Sequence, residues 1–455
     1  MHISKYFQGL TAWTVFILLF LIPTSALSQK VWSLDDCINY AMENNLQLKR
    51  TIFQAKTTEN NLLQSKLEIL PSLNGFAQHS LSSGKTVNYD DYTYVQQKFQ
   101  DGNLGAQATL NVFNGLQQTN IIKRNKFNFL ASNANVGKDK NDIMIAIVFA
   151  YMRILYNEEL LEIAKSQLDA IDQQVVRISQ FVKLGKTSQG QLLDIESQAA
   201  AERLNLTTVS NQLKTTYLDI TQLLNLDSVG DFRVKKPEER EIKEGIIIIP
   251  FGEVYQNAVA SFPEIKSAEY NLKAEEKNLS IARGTRSPNL YVRGLIYSRY
   301  SEIGRNPLDP DAPYPYGDQI KDNRYQQVSI NLNIPIFQQW TIQNNISNAK
   351  ISMLDAEVNL DQSKKILYKT IQQTHLDATS ALAKYRTSTE VVESRQAAMD
   401  YSQEKMDTGT ENAIDYNINK NNLIKAQAEL LQAKYEFVFT TKILDFYNGK
   451  PFNLD

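Results

Sequence analysis

ILPSLNGFAQHS, residues 69–80, lies at the end of a long helical pattern. From Leu34 to Leu70 the chain contains neither glycine nor proline, which predicts one continuous helix. Pro71 ends that pattern, and a short stretch of strand-like residues follows it. The related stretch RSPNLYVRGLIY, residues 286–297, interrupts a second helical pattern in the same way. The fold therefore depends on what two small pieces of strand do between very long helices.

The first 28 residues have the pattern of a secretory signal peptide. Lys5 gives a positive start, LTAWTVFILLFLI forms an apolar segment at residues 10–22, and Ala-Leu-Ser at 26–28 fits a cleavage site. The apolar segment is too short to span a membrane as an anchor. We therefore predict an exported chain that begins near Gln29, with a buried N-terminal helix as the alternative.

The composition excludes several classes of protein. Cys37 is the only cysteine, so the exported chain has no internal disulfide, and its helical surroundings predict a buried thiol. With 48 Lys and Arg against 50 Asp and Glu, the chain lacks the basic excess of a nucleic-acid-binding protein. After residue 28, no run of about 18 apolar residues predicts a membrane helix. If the chain enters a membrane, it does not do so by helices.

The chain contains an internal repeat. Residues from Cys37 onward match those from Val254 at an offset of 217, and the offset becomes 224 beyond the strand-like stretches. The matched pairs include Ala41 with Ala258, Pro71 with Pro288, Phe113 with Phe337, and Gly185 with Gly409. We therefore predict a first repeat at residues 29–226, a linker at 227–250 and a second repeat at 251–455.

Each repeat reads as helix, two strands, very long helix, tight turn and helix. Residues 338–408 are free of glycine and proline, and at 1.5 Å per residue such a helix is about 100 Å long. Residues 116–184 match them with Gly137 as the one exception. Two further runs without glycine or proline, 191–229 and 410–448, follow the turns. These lengths predict long antiparallel coiled-coil helices.

A heptad pattern supports the helical hairpins. In the first repeat, apolar residues alternate at spacings of three and four on both sides of the turn. The members before the turn are Leu161, Ala164, Leu168, Ile171, Val175, Ile178 and Val182, and those after it begin with Leu192, Ile195 and Ala199. The turns, and thus the tips of the hairpins, are predicted at 184–190 and 408–411.

The interruptions have the period of two that is typical of strands. One face of the predicted strand 103–113 is apolar and the other is polar, and residues 327–336 alternate in the same way. We predict β-hairpins at about 72–113 and 289–337, with polar and aromatic loops between their strands. Such strands in an exported protein fit an outer-membrane β-barrel. A soluble hairpin that caps a helical rod is the alternative.

Four strands in one chain are too few to close a barrel. The smallest membrane barrels have about eight strands, and an open sheet edge in lipid leaves backbone groups without hydrogen-bond partners. Several copies of the chain must therefore contribute to one barrel. Two copies would give eight strands with a filled interior, whereas three would give twelve strands and a water-filled pore.

The order of motifs resembles the TolC family of outer-membrane efflux proteins over essentially the whole mature chain. The resemblance rests on SLDDCINYAMENNLQLK (33–49), the strand entries LPSL and SPNL, and the strand exits LNVFNG and NIPIFQQW. The tips KLGKTSQGQLLDIESQ (183–198) and KMDTGTENAIDYNINK (405–420) complete it. No single motif is highly specific, but their order, spacing and duplication are.

The resemblance implies a mainly α protein with a small β part. In the family, a homotrimer forms a helical α-barrel in the periplasm and a 12-stranded transmembrane β-barrel in the outer membrane of a Gram-negative bacterium. Its tip meets a periplasmic adaptor protein, which links it to an inner-membrane transporter of the RND, ABC or MFS type. The implied function is passive conduction in tripartite efflux or type I secretion. Residues 227–250 resemble the family's equatorial segment, in which we expect a short buried strand at Ile246–Ile249.

The resemblance also suggests site residues. Asp415 matches an acidic constriction position of the family, and the next such position falls on Ile418. In the first repeat these two positions are Gln191 and Asp194. An N-terminal helix Asp that stabilises the macrodipole is the simpler explanation of Asp415. The candidate adaptor-docking residues are Leu184, Gly185, Lys186, Thr408, Gly409 and Thr410, and the predicted helix-to-barrel junctions are Pro71, Phe113, Pro288 and Phe337.

The sequence gives no indication of an enzyme. His79 and His375 are isolated, and no glycine-rich phosphate loop is present. We therefore predict no catalytic residues, no cofactor, no metal and no nucleic-acid partner. From the residues alone, the competing hypothesis is a periplasmic coiled-coil scaffold or binding protein without a pore. The two apolar-faced hairpins favour the channel, because a soluble scaffold has no need of them.

Overall fold

The computed structural model describes residues 31–87, 92–227, 230, 232–236, 248–309, 311–408 and 410–452. The predicted signal peptide, Gly409 and most of the linker 227–250 lie outside these residues. The elements in chain order are β1 (Val31–Trp32), α1 (Leu34–Asn44), α2 (Leu46–Leu67), β2 (Ser72–Val87), β3 (Tyr94–Phe113), α3 (Gln117–Lys183), α4 (Gln189–Leu224), β4 (Arg233–Val234), α5 (Phe251–Ser261), α6 (Pro263–Gly284), β5 (Asn289–Ser301), α7 (Tyr316–Asp322), β6 (Tyr325–Asn333), α8 (Thr341–Asp407) and α9 (Ala413–Tyr447).

Three pairs of helices have the same length in the two halves, and the fourth pair, α4 and α9, has 36 and 35 residues. The pairs α1 and α5, α2 and α6, and α3 and α8 have 11, 22 and 67 residues respectively. Each of the long helices α3 and α8 begins after a residue in the left-handed region, Leu116 with φ 60° and Trp340 with φ 66°. The two halves of the chain therefore share one helical plan, and the predicted two-fold repeat is confirmed.

The prediction of one helix from Leu34 to Leu70 is wrong, because Asn45 breaks it. Asn45 has an extended backbone with ψ 123°, and its side-chain oxygen accepts a hydrogen bond of 3.0 Å from the Leu48 N–H. Its amide nitrogen donates at 2.9 Å to the carbonyl of Leu223 in α4. Asn45 thus begins α2 as its N-cap, which is a residue type strongly preferred there.

The main core lies at the middle of α3. Ile147, Tyr151 and Ile154 are fully buried there, against residues from α1, α5 and the C-terminal ends of α4 and α9. The Tyr151 hydroxyl donates to the carbonyl of Lys235, next to the small parallel sheet of β1 and β4. Burial raises the pKa of Tyr151 well above its ordinary value, so this hydroxyl remains a donor.

The heptad pattern forms the predicted helical hairpin. Ile171 on α3 packs against Ile195 and Ala199 on α4, and Leu168, Val175, Ile178 and Leu192 surround them. Ion pairs cross the same hairpin, as between Arg203 and Asp172 at 2.6 Å. Among the described residues, no helix combines the length and the apolar character needed to cross a membrane.

The four longer strands form one antiparallel sheet in the order β2-β3-β5-β6. The stretch Tyr94–Asp101, which we expected in a loop, is part of β3 and pairs with Ser80–Val87 of β2. The second hairpin differs, because its predicted loop contains the helix α7. Its last strand ends at Asn333, so Ile334 and Ile336, which we predicted to be part of this strand, lie beyond it.

The two faces of the sheet differ in polarity as the alternation predicts. Cross-strand rows on one face join apolar residues, such as Leu110 with Val292 and Val292 with Ile330. This face is uncovered within the chain, since Val328 is 79% exposed and Ile330 is 74% exposed. The opposite face carries asparagine, glutamine, serine and threonine.

One further expectation fails in the linker. Of the predicted short strand Ile246–Ile249, the described residues Ile248 and Ile249 are half-buried and lie outside any strand. They pack at the edge of the main core instead, just before α5 begins. Their apolar character therefore reflects core contacts rather than strand pairing.

Candidate pore constriction and docking tips

The first tip ends α3 with a well-formed C-terminal cap. The Lys186 N–H donates at 2.9 Å to the carbonyl of Phe181, and the Gly185 N–H donates at 3.0 Å to that of Val182. These two bonds define a Schellman motif, in which Gly185 takes the left-handed conformation with φ 68°. Leu184 is 66% exposed beside it. The turn therefore presents an apolar side chain and a lysine at the end of the hairpin.

The second tip has the same hydrogen-bond plan. The Thr410 N–H donates at 2.9 Å to the carbonyl of Lys405, five residues before it, as the Lys186 N–H does to Phe181 in the first tip. The Thr408 N–H donates at 3.1 Å to the carbonyl of Glu404. The hydroxyls of Thr408 and Thr410 are 3.1 Å apart. Lys405 lies 4.4 Å from the centre of the Tyr401 ring. This tip is thus polar where the first presents a leucine.

Both tips lead into N-caps of identical backbone geometry. Ser188 and Asn412 have φ −84° and ψ near 155°, and each accepts a hydrogen bond from the N–H three residues on. The distance from the Gln191 backbone nitrogen to Ser188 Oγ is 3.3 Å, and that from the Asp415 backbone nitrogen to Asn412 Oδ1 is 2.8 Å. Gln191 and Asp415, which the repeat aligns, therefore occupy the same helical position.

The carboxylate of Asp415 takes part in its own helix cap. The Asn412 side-chain nitrogen donates to it at 2.7 Å, and the residue is exposed in the first turn of α9. The structure thus bears out the simpler explanation of Asp415 as a residue at the helix N-terminus, where the macrodipole favours a negative charge. Asp194 and Ile418 are both exposed one turn further along their helices.

A groove separates the two helical hairpins behind the tips. It has a volume of about 720 Å³ and lies between α3 on one side and α8 and α9 on the other. Lys420 of α9 lines it together with Gln167, Arg177 and Tyr416. Burial lowers the pKa of Lys420, while the negative charge of Glu202 on α4 opposes that effect. The groove therefore lies between α3 of the first hairpin and α9, the helix that carries Asp415 in its first turn.

A buried polar cluster beside the second tip was missed by sequence reasoning. Ser402 is only 1% exposed, and its hydroxyl donates at 2.5 Å to the carboxylate of Glu411. The Asn419 side chain donates to the same hydroxyl at 3.3 Å. The cluster ties the end of α8 to the start of α9. Ser402 is itself polar and is followed by Gln403, Glu404 and Lys405, so the sequence did not indicate that it is buried.

The four predicted junction residues lie at or near the ends of the strands. Pro71 and Pro288 each precede the first residue of a strand, Ser72 or Asn289. Phe113 is the last residue of β3. Phe337 lies outside a strand, between the end of β6 and the start of α8.

Comparison with known families now decides the assignment. The family model described as "Outer membrane efflux protein" matches residues 37–226 and 254–444, which correspond to the two repeats. The chain belongs to the outer membrane efflux protein family. This family forms the outer-membrane channels of tripartite efflux systems, so the protein is a TolC-like efflux channel of the Gram-negative outer membrane and not an enzyme. The competing hypothesis of a scaffold without a pore is wrong.

Two named relatives share about a fifth of their residues with this chain. The chain is 21% identical to the outer membrane efflux protein BepC of Brucella suis over 404 residues, which cover 89% of this chain and 82% of BepC. It is 20% identical to the outer membrane protein TolC of Escherichia coli over 438 residues, covering 91% and 81%.

Solved structures of outer-membrane channels share the fold. The Campylobacter jejuni CmeC outer membrane channel superposes with a TM-score of 0.78 at 17% identity, covering 91% of this efflux protein and 86% of CmeC. The outer membrane protein VceC of Vibrio cholerae gives a TM-score of 0.76 at 13% identity, covering 92% and 97%. The predicted fold class, helical with four antiparallel strands, is therefore confirmed.

Proposed function

We propose that three copies of the chain form one continuous exit duct. Their twelve strands close a β-barrel in the outer membrane, and their helices form a tube in the periplasm. Substrates pass through it passively, because the family's channels perform no chemistry and the energy comes from elsewhere. Residues 1–28 direct export and are removed, and residues 227–250 link the two repeats as the equatorial segment.

The open sheet is the observation that carries this proposal. Among the described residues, β2 and β6 each have one strand neighbour within the chain, so both outer edges of the sheet lack a partner. In lipid such edges leave backbone N–H and C=O groups unpaired, which costs several kcal/mol for each group. Pairing β6 of one copy with β2 of the next removes every edge. Three copies give twelve strands, enough for a water-filled interior.

The tips are the proposed contact with other proteins. Leu184, Gly185 and Lys186 and the second turn, Thr408 to Thr410, lie at the ends of the helical hairpins. An exposed leucine flanked by polar residues fits a small apolar pocket on a partner. We assign these residues to docking of a periplasmic adaptor, which connects the duct to an inner-membrane transporter of the RND, ABC or MFS type.

Asp415 is the proposed constriction residue, with Asp194 on the neighbouring hairpin. Three symmetry-related carboxylates that converge on one axis repel each other and raise the local concentration of cations. The N-cap contact with Asn412 is compatible with this role, because a carboxylate has several acceptor positions and the cap uses few of them. The ring would narrow the duct at its periplasmic end and filter cations.

The first experiment measures the oligomeric state. The protein is extracted from outer membranes in mild detergent, and its protein mass is measured by native mass spectrometry. A trimer is the expected result. Recovery as a monomer, or release from cells without detergent as a soluble periplasmic protein, would contradict the proposal.

The second experiment tests the constriction in a planar bilayer. Asp415→Ala is expected to raise single-channel conductance and to weaken cation selectivity, measured by the reversal potential in a salt gradient. Asp309→Ala removes one exposed carboxylate from the loop between β5 and α7, away from the tips, and serves as the matched control. Unchanged selectivity in Asp415→Ala channels would remove the role assigned to this residue while leaving the trimer intact.

The third experiment tests docking. Leu184→Ser should reduce capture of the adaptor by cross-linking and raise the intracellular concentration of a pumped dye. Leu218→Ser changes an exposed leucine near the far end of α4 and should leave both measurements unaltered. Equal effects of the two substitutions would argue against docking at the tip.

A further inference from the structure

One cross-strand row on the polar face of the sheet is aromatic. Phe76 on β2 pairs with Gly105 on β3, Gly105 pairs with Tyr297 on β5, and Tyr297 pairs with Tyr325 on β6. The rings of Tyr297 and Tyr325 have their centres 5.2 Å apart. We call Phe76, Tyr297 and Tyr325 the aromatic strip. Within the described strands, this face otherwise carries mainly amide and hydroxyl side chains.

The alternation of side chains fixes the side to which the aromatic strip points. The next pair along the strands, Ala106 with Ile296, belongs to the apolar face. In an outer-membrane channel the apolar band faces the lipid, so the strip points into the lumen of the closed barrel. This step rests on the proposed closure by three copies. The aromatic girdles of such barrels flank the outward-facing apolar band, so they do not explain rings on the luminal side.

The aromatic strip is accessible from the luminal side. Phe76 is 38% exposed, Tyr325 is 46% exposed and Tyr297 is half-buried. The helix α7 packs on the other face of the sheet, where Ser298 Oγ donates at 2.6 Å to the carbonyl of Ile320. This helix therefore does not cover the strip.

The aromatic strip lies where the four-stranded part of the sheet ends. Tyr325 is the first residue of β6, and its pairing with Tyr297 is the last between these two strands on the side away from the helices. Beyond this row β5 continues to Ser301, while β2 and β3 continue as a pair to Val87 and Tyr94. With the helices in the periplasm, the strip therefore lies toward the extracellular exit of the closed barrel.

Gly105 has a structural role within this row. A Cβ on Gly105 would lie 2.4 Å from the Ile296 carbonyl oxygen and 2.6 Å from the Tyr297 Cβ, so only glycine allows β5 to approach so closely. Gly105 also places no side chain between Phe76 and Tyr297. A test of ligand binding should therefore change Phe76 and Tyr325 and leave the tight contact at Gly105 intact.

Amide side chains border the aromatic strip on both sides. The next row toward the helices contains Asn74, Gln107 and Gln327, and the next row in the other direction contains Gln78 and Asn103. An amide side chain can both donate and accept hydrogen bonds. The wall of the lumen thus combines flat apolar surfaces with hydrogen-bonding groups at their edges.

The charges near the aromatic strip are of both signs. Arg299 stands in the row that contains Asn103, and Asp101 stands in the row after it on the same face. Because these opposite charges lie close together, they give the strip no preference for a net charge of either sign. The chemistry of the strip therefore favours an uncharged ligand.

We propose that the aromatic strip binds planar, uncharged aromatic rings of solutes that leave through the channel. Aromatic rings attract each other in offset or edge-to-face arrangements, and stacking tolerates different ring types because each offers a π-face. The bordering amides bind polar groups at the edge of the ring. Three copies place three strips around the exit. This inference rests on the proposed duct and adds to it a class of ligand, aromatic molecules that carry hydrogen-bonding groups.

The test is photolabelling of the detergent-solubilised trimer with 8-azidoadenosine, an uncharged planar ring system with a photoreactive group. Mass spectrometry of the digested protein should locate the label on β2, β5 or β6 beside the strip. Excess adenosine should prevent labelling, whereas ribose, which lacks the aromatic ring, should not. Phe76→Ser and Tyr325→Ser should each lower the label yield at a fixed, subsaturating concentration about fivefold, which corresponds to about 1 kcal/mol of stacking.

Two control variants separate the strip from aromatic residues in general. Tyr291→Ser removes a ring from the same face, three rows nearer the helices between Asn111 and Asn331, and should retain the label. Tyr325→Phe keeps the ring and should also retain it.

Four results would each overturn the inference. They are a wild-type trimer without label on these strands, competition by ribose, unchanged labelling in both Phe76→Ser and Tyr325→Ser, and equal losses in Tyr291→Ser and Tyr325→Ser. A wild-type protein recovered as a monomer would instead overturn the trimeric duct.

Discussion

Three helix pairs of the two halves have equal lengths and the fourth, α4 and α9, differs by one residue, whereas the β-hairpins differ much more. The first hairpin has strands of 16 and 20 residues, and the second has strands of 13 and 9 with the helix α7 between them. The helices must pack along their whole length against neighbouring helices, so one residue more or less in either half would misalign every following contact. The end of a β-hairpin does not pack along its length against helices, so its length can change without misaligning later contacts. Packing therefore keeps the helix lengths of the two repeats similar, whereas the lengths of the hairpins can differ.

The junction before each long helix allows the sharpest test of this comparison. Both halves use two consecutive left-handed residues there, Gly115 with Leu116 and Gln339 with Trp340. A Cβ on Gly115 would overlap the Gly284 carbonyl oxygen and would lie 2.6 Å from the Ser287 Cβ. We expect Gly115→Ala to cost about 3 kcal/mol through strain and overlap. The measurement is the thermal midpoint of the detergent-solubilised trimer.

The equivalent position in the second half supplies the matched control. Gln339 already holds φ at 49°, so Gln339→Gly removes strain but increases the freedom of the unfolded chain. We expect the two effects to offset each other to within about 1 kcal/mol. Equal destabilisation by both substitutions would show that the two junctions are under the same constraint, contrary to this comparison.

The second prediction concerns the inserted helix of the second hairpin. Gln319 is 2% exposed, accepts a hydrogen bond of 2.9 Å from the Ser301 N–H and donates at 2.7 Å to the Tyr314 carbonyl. Gln319→Ala should weaken the folded loop by about 2 kcal/mol, because buried backbone groups lose their partners. Limited proteolysis should then cleave residues 302–324 faster. Gln96→Ala, at an exposed site in the first hairpin, should leave the cleavage pattern as in the wild type.

The third prediction compares the two helix breaks. In the first half Asn45 caps α2 through hydrogen bonds, whereas in the second half Phe262 packs on Tyr447 with ring centres 5.1 Å apart. Asn45→Ala should lower stability by about 1–2 kcal/mol, seen as a lower thermal midpoint. Asn44→Ala, whose side chain only bonds the Tyr40 carbonyl of its own helix, should have a smaller effect. The reverse order would contradict the capping role.

The smallest predicted effect is a pH dependence present in one half only. Burial raises the pKa of Glu264 above 4.5, and the nearby charge of Asp142 adds to this. The protonated form is therefore favoured in the folded state, and this contribution to stability falls as pH rises through the window above 4.5. Gln47 occupies the equivalent position in the first half, and Glu264→Gln should therefore reduce the dependence of the thermal midpoint on pH above 4.5. Glu253→Gln, at an exposed site, should preserve the wild-type slope.

Much of the helical architecture was predictable, because each turn of helix repeats the same packing requirement. The heptad residues around Ile171 meet Ile195 across the hairpin as their spacing predicts. Asn45 was missed because we expected a helix break only at glycine or proline, although asparagine is also favoured where a helix begins. The outer part of β3, Tyr94–Asp101, was expected in a loop because it is polar on both faces. Its strand conformation comes from pairing with β2, which a local pattern does not contain.

Some features of the candidate site could be predicted from the sequence and others could not. The caps at Ser188 and Asn412 could be expected from residue types that favour helix N-termini. The burial of Ser402 could not, because the carboxylate of Glu411 folds over it from across the turn. A pore role for Asp415 depends on two further copies of the same residue, and the pattern of a single chain carries no information about their separation. A helix cap can therefore be predicted from one chain, whereas a pore role depends on how several copies are arranged.

The equal lengths of α3 and α8 have a consequence for how such a gene can change. One inserted residue would turn the rest of either helix by about 100° and advance it by 1.5 Å, which takes the following side chains off their packing face. Insertions within one long helix should therefore be eliminated by selection unless a compensating change arises in the other. The seven-residue difference between the halves lies between Pro288 and Phe337, in the second hairpin and its flanks. Length variation among relatives should accumulate there, while both 67-residue helices align without gaps.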